Sequence, residues 1–244
     1  MSQAETSEAQ IAVHWQEEDY FYPPRDFVAQ ANMTDESVYD RFSLENFPNC
    51  FKEYADMLDW YEYWDEILDT SDAPCYKWFK GGKLNASYNC VDRHLAKNKN
   101  KTAIHFVPEL EEERVHHITY QELYVRVNEM AALLRDFAGL KHGDRVTLHM
   151  PMSAELPITM LALARLGVIH SQVFGGFSGN AAADRIVDSG SRVLITMDAY
   201  YRGGKLLDHK IKSNQACEKA AEDGQKVDKV LIWQRYPGKY SAQT

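Results

Sequence analysis

From residue 145 onward, short apolar runs alternate with longer amphipathic stretches, and this alternation restricts the possible folds more than any other feature. The apolar runs predict strands at residues 145–150, 168–174, 192–196 and 227–233. The amphipathic stretches predict helices at residues 153–166, 180–189 and 204–223. Strands that alternate with helices over short connections favour a parallel sheet flanked by helices and joined by right-handed crossovers. The expected fold class is therefore α/β.

The segment before this alternation predicts two strands and one long helix. Residues 102–107 and 114–118 are the predicted strands, and a charged loop joins them. Thr119 and Glu122 have the spacing of a capping box, so the helix is expected to begin after Thr119. Gly139 follows the last apolar residue of this helix and can end it, because glycine adopts the left-handed conformation at low cost.

The first 90 residues are acidic and rich in aromatic side chains. Residues 1–14 are polar and without pattern, so a flexible tail is expected there. Between Phe51 and Ile67, apolar side chains recur at close to helical spacing and predict an amphipathic helix. Packing of its aromatic side chains against a larger body is favoured over an aromatic binding box.

The charge distribution and the cysteines limit the class of function and the compartment. Residues 1–72 carry 18 acidic and 3 basic side chains, whereas residues 73–244 carry 18 acidic and 24 basic ones. This acidic first part argues against nucleic acid as a partner, because a non-specific nucleic-acid binder needs a concentrated basic face. No apolar run approaches the roughly 20 residues that cross a bilayer, and no secretory signal is visible, so no membrane partner is expected. Four cysteines without a CxxC pair indicate reduced thiols and a cytoplasmic location.

The first candidate site follows the predicted strand at 168–174. Phe174, Gly175 and Gly176 lie where ligands bind in open α/β sheets, beyond the carboxyl end of a strand. The two glycines allow a backbone to approach a ligand closely, and Ser178 is a plausible N-cap for the next helix. A tight turn that requires unusual φ angles explains the glycines equally well. The pattern is not GxGxxG, so a dinucleotide fingerprint is absent.

The second candidate site is the segment from Asp198 to Lys205, which lies between a predicted strand and a predicted helix that starts at Gly204. Its charged end is Arg202-Gly203-Gly204-Lys205. Two cations at a helix N-terminus oppose the helix dipole, which suggests that they face a bound phosphate. A solvated surface loop is the alternative, and the local pattern favours it.

Other catalytic and metal-binding patterns are not visible in the sequence. His116 and His117 are adjacent on a predicted strand, so they face opposite sides and cannot grip one metal ion together. There is no GxSxG elbow, P-loop or HExxH motif. No catalytic residue and no metal ligand is therefore assigned.

Three long motifs resemble a known family. They are WFKGGKLNASYNCVDRHL, HMPMSAELPITMLALARLGVIHSQVFGGFS and DRIVDSGSRVLITMDAYYRGGK, in that order along the chain. Together they resemble the N-terminal third of the acetyl-coenzyme A synthetases, the AMP-forming acetate–CoA ligases of the adenylate-forming superfamily. The resemblance covers residues 15–244, and propionyl-CoA synthetases share much of the pattern.

The resemblance implies a domain organisation. Residues 15–90 correspond to the acetyl-CoA synthetase N-terminal segment, an acidic, helical and aromatic segment that wraps the large domain. Residues 91–244 correspond to the N-terminal part of the AMP-binding domain, the first and mostly parallel α/β part of an adenylate-forming (ANL-type) large domain. That domain is expected to be incomplete in this chain.

The resemblance also implies substrates and site residues. In the family, acetate and Mg·ATP form acetyl-adenylate, and the thiol of CoA then displaces AMP. Phe174, Gly175 and Gly176 correspond to a loop along the CoA site. Arg202, Gly203, Gly204 and Lys205 correspond to the contact with the 3′-phosphate of CoA. The family often has arginine at the position of Lys205, and lysine offers a point charge in place of a bidentate fork.

The same resemblance limits what the chain is expected to do alone. The family's ATP-phosphate loop, acetate pocket, Mg²⁺ site and C-terminal domain have no counterpart in these residues. The chain is therefore expected to be an inactive N-terminal fragment, with the remainder as a possible separate partner chain. Alternatives are a non-catalytic CoA- or nucleotide-binding or regulatory module and a propionate–CoA ligase fragment. A Rossmann-type oxidoreductase is disfavoured by the missing GxGxxG motif.

Overall fold

The computed structural model describes residues 21–237. The predicted tail at residues 1–14 lies outside the described residues. The chain divides into two compact units, one that ends at Ala55 and one that begins at Asp56. Within the described range, no helix combines the length and apolar character that crossing a membrane requires.

The first unit contains short helices held together by aromatic side chains. Its helices are α1 (Arg25–Ala29), α2 (Val38–Arg41) and α3 (Lys52–Ala55), with 3₁₀ turns at Leu44–Asn46 and Asn49–Phe51. The ring of Phe42 packs on those of Phe51 and Tyr54, at centroid distances of 5.8 and 5.0 Å. Ring packing of this kind favours tilted and edge-on geometries, which are the ones observed here.

The predicted amphipathic helix between Phe51 and Ile67 is wrong. The helix that begins at Lys52 ends at Ala55, and a strand, β1 (Glu66–Asp69), occupies the end of the predicted range. Between them, Glu62 forms an isolated bridge with Lys83. The aromatic spacing resembled a helical period, but pairing with residues far along the chain determines the backbone here.

The remaining elements all belong to the second unit. The strands after β1 are β2 (Lys77–Lys80), β3 (Thr102–Phe106), β4 (His116–Thr119), β5 (Arg145–Met150), β6 (Ile169–Phe174), β7 (Val193–Met197), β8 (Ala199–Arg202), β9 (Lys205–Asp208) and β10 (Lys229–Trp233). The helices are α4 (Ala86–Cys90), α5 (Leu95–Asn98), α6 (Tyr120–Asp136), α7 (Glu155–Leu166), α8 (Gly179–Ser189) and α9 (Lys210–Glu222). A 3₁₀ turn at Asp92–His94 lies between α4 and α5.

The central sheet has the strand order β10–β7–β5–β6, and every neighbouring pair in it is parallel. Every residue of β7 is buried, as is every residue of β5 after the first, which is typical of a parallel sheet covered on both faces. Three antiparallel pairs, β1–β2, β3–β4 and β8–β9, accompany this sheet. The predicted α/β fold with a mostly parallel sheet is therefore confirmed.

The two faces of the sheet contribute to two hydrophobic clusters. Ile195 of β7 packs in the larger cluster, to which α6 and α7 contribute. Leu194, its neighbour in the strand, packs in the smaller cluster with Ala183 of α8 and Ala216 of α9. Successive side chains of a strand point to opposite faces, so the sheet lies between two helical layers. Each large apolar side chain fully buried there contributes about 1.5–3 kcal/mol.

The predicted capping box of α6 is confirmed. The Thr119 hydroxyl accepts a hydrogen bond from the Glu122 N–H at 3.2 Å, and the Glu122 carboxylate accepts one from the Thr119 N–H at 2.8 Å. Because the Thr119 backbone hydrogen bond stabilises its charged form, the pKa of Glu122 is lowered. Gly139, just beyond the helix, has a φ of +74°, the left-handed conformation that ends helices readily.

A polar network fastens residues 85–93 to the C-terminal end of α7. The Asn85 amide donates to the carbonyls of Ala164 and Arg165 at 3.3 and 3.1 Å. The Arg165 guanidinium in turn pairs with Asp92 and donates to Asn128 at 2.6 Å. The two Asn85 bonds thus cap carbonyls in the last turn of α7.

Candidate functional site

The carboxyl ends of β5, β6 and β7 border a cleft of about 570 Å³. Its walls are the connections that leave these strands, at residues 151–153, 174–176 and 200–202, together with residues 106–109 and 235–236. Ligands in open α/β sheets bind at this end of the strands. A second groove of about 640 Å³, lined mainly by apolar side chains, lies beside β10 and α6. The first cleft is the candidate site because charged and backbone polar groups converge there.

Backbone atoms crowd the first glycine of the loop after β6, and side-chain atoms crowd the second. A Cβ atom on Gly175 would lie 2.8 Å from the Cα atom of Pro151 and 3.0 Å from the Met150 carbonyl oxygen. A Cβ atom on Gly176 would lie 2.7 Å from the Arg202 Nη1 atom. Neither glycine is in the left-handed region. Close approach of neighbouring atoms, and not unusual φ angles, therefore explains the glycine pair.

The residue after this loop starts α8 as predicted. The Ser178 hydroxyl accepts a hydrogen bond from the Ala181 N–H at 3.3 Å, which makes Ser178 the N-cap. The Phe177 N–H donates to the Phe174 carbonyl at 2.9 Å and closes the turn before it. The loop is thus anchored at both ends.

The second candidate loop is the tip of a β-hairpin. Gly203 and Gly204 have φ angles of +59° and +73° and join β8 to β9. A two-residue connection with both φ angles positive is the type I′ turn, whose twist matches the flanking strands. The predicted helix start at Gly204 is therefore wrong, because Lys205 begins a strand and α9 begins only at Lys210.

The hairpin gives Arg202 and Lys205 a different reason to face an anion. The two residues are direct cross-strand partners in β8 and β9. Like charges in such a pair repel each other, so an anion between them would relieve the repulsion. Neither makes an ion pair with any residue in 21–237. No helix begins at this loop, so the helix dipole does not explain why the two cations lie here. Repulsion between the two cross-strand partners is the reason that an anion would be favoured.

The structure brings four of the seven predicted site residues together in the cleft. Arg202 lies against Gly176, and its Cζ atom is 5.9 Å from the centre of the Phe174 ring. Phe174, Gly175, Gly176 and Arg202 all line the cleft. The other three, Gly203, Gly204 and Lys205, are exposed at the hairpin tip beyond the lining. The Gly204 N–H donates to the Glu109 carboxylate at 3.2 Å, which ties the tip to the loop between β3 and β4.

Tyr200 belongs to the second candidate segment, but no role for it was visible in the sequence. Its hydroxyl donates to the Gly175 carbonyl at 3.3 Å and joins the two candidate loops. Sequence reasoning missed Arg235 and Tyr236, which follow β10 and contact Glu113. The Arg235 guanidinium lies 2.9 Å from the Glu113 carboxylate, and the Tyr236 hydroxyl donates to it at 2.7 Å. Burial raises the pKa of Tyr236, so this hydroxyl stays protonated at neutral pH. Their place just after a predicted parallel strand was the signal available in the sequence.

Asp198 supports these residues from below the cleft. Its buried carboxylate accepts hydrogen bonds from the N–H groups of Ala199, Arg235 and Tyr236, at 2.7 to 2.9 Å. Three donors satisfy a buried charge that would otherwise be costly. Asp198 therefore fixes the chain after β10 against the end of β7.

The cleft has one feature of an anion-binding site. The Arg202 guanidinium in its lining has no ion-pair partner among the described residues and lies against Gly176. Within residues 21–237, no three His, Cys, Asp or Glu side chains are placed to hold one metal ion. A guanidinium of this kind can bind an anion, and none of the lining residues is assigned to a metal.

Comparison with known proteins agrees with this architecture. The family model for AMP-binding enzymes matches residues 91–242, and the model for the acetyl-coenzyme A synthetase N-terminus matches residues 36–90. The acetyl-coenzyme A synthetase of Pyrobaculum aerophilum is 45% identical over 203 residues, which are 81% of this chain and 30% of that protein. The acetyl-coenzyme A synthetase of Wolinella succinogenes is 43% identical over 88% of this chain and 33% of its own length.

The name of a third relative gives a different acyl group. The 3-hydroxypropionyl-coenzyme A synthetase of Sulfurisphaera tokodaii is 47% identical over 79% of this chain and 29% of its own length. This chain thus spans about a third of the length of the curated relatives it matches. The AMP-binding match extends over more than half of the chain and confirms the resemblance carried by the three motifs. The chain belongs to the AMP-binding enzyme family and carries the acetyl-coenzyme A synthetase N-terminus.

Proposed function

We propose that this chain supplies the coenzyme A side of an AMP-forming acetate–CoA ligase. The observation that carries the proposal is the meeting of Arg202 with the Phe174–Gly176 loop in one cleft. CoA is a polyanion, and a guanidinium and an ammonium across a hairpin turn provide charge for its 3′-phosphate. The small size of Gly175 and Gly176 lets this loop lie against Pro151 and Arg202, which keeps Arg202 at the wall of the cleft.

The proposed reaction has two steps. Acetate and Mg·ATP form acetyl-adenylate and diphosphate, and the CoA thiol then displaces AMP to form acetyl-CoA. Our proposed division places the acetyl-CoA synthetase N-terminal segment at residues 15–90 and part of the adenylating domain at residues 91–244. In this division the described residues bind and orient CoA. No described residue is assigned to ATP, to Mg²⁺ or to the acyl group.

The proposal extends to the acyl group, the location and the partner of the chain. Acetate is proposed because two of the relatives compared above are acetyl-coenzyme A synthetases. The name of the Sulfurisphaera relative makes 3-hydroxypropionate the competing acyl group, and propionate is a further alternative. We place the protein in the cytoplasm because the four cysteines are free. The proposed partner is the rest of the ligase, as further sequence or as a separate chain.

Calorimetric titration of CoA and of 3′-dephospho-CoA tests the binding site. A charge-assisted hydrogen bond contributes about 1.5–3 kcal/mol, so Arg202→Ala is expected to weaken CoA binding about 10- to 100-fold. Lys205→Ala is expected to weaken it less, and both substitutions should leave dephospho-CoA binding nearly unchanged. Lys226→Ala removes an exposed lysine outside the cleft and serves as the matched control. Equal losses for both ligands, or none for CoA, would remove the proposed phosphate contact.

An activity assay separates binding from catalysis. The chain alone is expected to bind CoA without acetate- and CoA-dependent formation of AMP. Addition of the remaining two thirds of a related ligase should restore that reaction if the two parts assemble. AMP formation by this chain alone would show that the division of roles proposed above is wrong.

A further inference from the structure

Two histidines lie buried beneath the cleft. His149 belongs to the carboxyl end of β5, and His209 directly precedes α9; both have 0% exposure. Their ring centres are 4.3 Å apart. The His149 carbonyl lies 2.9 Å from the His209 Nε2 atom, and the His149 Nδ1 atom lies 3.3 Å from the Ser213 hydroxyl oxygen.

This pair is connected to the cleft through Tyr200. The Tyr200 ring packs edge-on against the His209 ring at 5.4 Å, and the Tyr200 hydroxyl donates to the Gly175 carbonyl. The His209 N–H donates to the Asp198 carbonyl at 3.0 Å. His209 therefore contacts the end of β5, the end of β7 and the hairpin that carries Arg202.

The hydrogen bonds determine the tautomer of His209. A carbonyl oxygen can only accept, so the Nε2 atom carries the proton and the Nδ1 atom does not. Burial lowers the pKa of His209 to about 4, and the positive charge of Lys212 acts in the same direction. The His149 backbone and the Asp208 carboxylate oppose this shift without reversing it. The ring is thus neutral at neutral pH.

We propose that His209 is a positioning residue for the cleft, which acts through Tyr200 on the Gly175–Gly176 loop. Its Nε2–H group bonds to the His149 carbonyl, and this bond keeps the side chain packed against the Tyr200 ring. Tyr200 then holds Gly175 at the place where Gly176 meets Arg202. The effect on CoA binding rests on the proposed function, whereas the effect on the loop does not.

Amide hydrogen exchange in the ligand-free full chain tests the effect on the loop. His209→Gln keeps an N–H donor at a similar reach, and His209→Leu removes it while keeping an apolar body. The Phe177 N–H, which donates to the Phe174 carbonyl, reports on the loop. We expect His209→Leu to speed its exchange about tenfold, and His209→Gln to restore most of the protection. Amides of the central strand β7, such as Ile195, serve as the internal reference and should be unchanged. Equal loop exchange in all three proteins, or no restoration by glutamine, would overturn the proposal.

A double-mutant cycle with Tyr200→Phe tests the route. Tyr200→Phe removes the bond to Gly175 and should itself speed loop exchange. If His209 acts through Tyr200, adding His209→Leu to Tyr200→Phe will produce little further change. Full additivity would refute that route. If His209→Leu does not fold, two other measurements test the proposal. Loop exchange in His209→Gln tests the effect of the side chain, and the ¹⁵N spectrum of the wild-type imidazole tests the tautomer. A protonated Nδ1 atom would contradict the proposed tautomer.

CoA titration of the same variants keeps the two proposals distinguishable. Both proposals are supported if loop exchange changes as expected and CoA affinity falls from wild type to His209→Gln and further to His209→Leu. If the loop effect holds but wild type does not bind CoA, the proposed function fails while His209 remains a positioning residue.

Discussion

Gly175→Ala is expected to damage the candidate site through a clash with backbone atoms. The added Cβ would lie 2.8 Å from the Pro151 Cα atom, 2.9 Å from the Pro151 nitrogen and 3.0 Å from the Met150 carbonyl oxygen. Carbon atoms that are not bonded to each other ordinarily lie about 3.5–4.0 Å apart, so the first of these distances is too short by at least about 0.7 Å. None of these atoms is the end of a flexible side chain. The loop after β6 must therefore move away from the end of β5.

The size of the effect follows from two opposing terms. Overpacking of this kind costs about 1–3 kcal/mol. Replacing glycine by alanine returns about 0.4–1 kcal/mol by restricting the unfolded chain, because Gly175 is not in the left-handed region. We expect a net loss of about 1–2 kcal/mol in the free energy of unfolding, measured by urea denaturation. CoA affinity should fall as well, because the loop that meets Arg202 is displaced.

Gly143→Ala is the matched control. Gly143 has a φ of +84°, and nothing lies within 4 Å of the Cβ that alanine would add. Backbone strain there costs about 1–2 kcal/mol, a loss comparable to that of Gly175→Ala, but at the amino end of β5 and away from the cleft. Only Gly175→Ala should weaken CoA binding. Unchanged stability and affinity in Gly175→Ala, or an equal loss of affinity in Gly143→Ala, would refute the reasoning.

Three further predictions concern acid stability, the helix cap and the hairpin charge. Burial lowers the pKa of His149 to about 3 and that of His209 to about 4, so below the unfolded value of 6.5 the unfolded chain binds more protons. The urea midpoint should therefore fall between pH 7.5 and 5, with a smaller fall in His209→Gln, and a flat midpoint would contradict this. Thr119→Ala should lower the free energy of unfolding by about 1 kcal/mol by removing the cap of α6, and an unchanged denaturation curve would argue against the cap. Lys205→Arg should tighten binding of CoA but not of dephospho-CoA, measured by calorimetry, because arginine can bind phosphate with two donors; weaker CoA binding would count against the phosphate contact.

The parts of the fold that were predictable depend on local patterns. The alternation after residue 145 predicts the parallel sheet, and the capping box and Ser178 predict where α6 and α8 begin. The hairpin at Gly203-Gly204 was missed because its strands have only four residues each, too few for a clear period. The helix predicted from Phe51 to Ile67 was wrong because long-range pairing outweighed the aromatic spacing.

The amino-acid sequence by itself determined the fold class, the family and the two loops that carry candidate site residues. These depend on periodicity, caps and motifs, which act between residues close in the chain. Only the tertiary structure decided that Arg202 lies against Gly176, that Glu109 reaches Gly204 and that His209 binds the carbonyl of His149. The parallel direction of β5, β6 and β7 brings the connections that follow them to one end of the sheet, and the strand order β10–β7–β5–β6 determines which of them are neighbours. Contacts between residues far apart in the chain depend on that order and on packing of the helical layers, which no local pattern specifies.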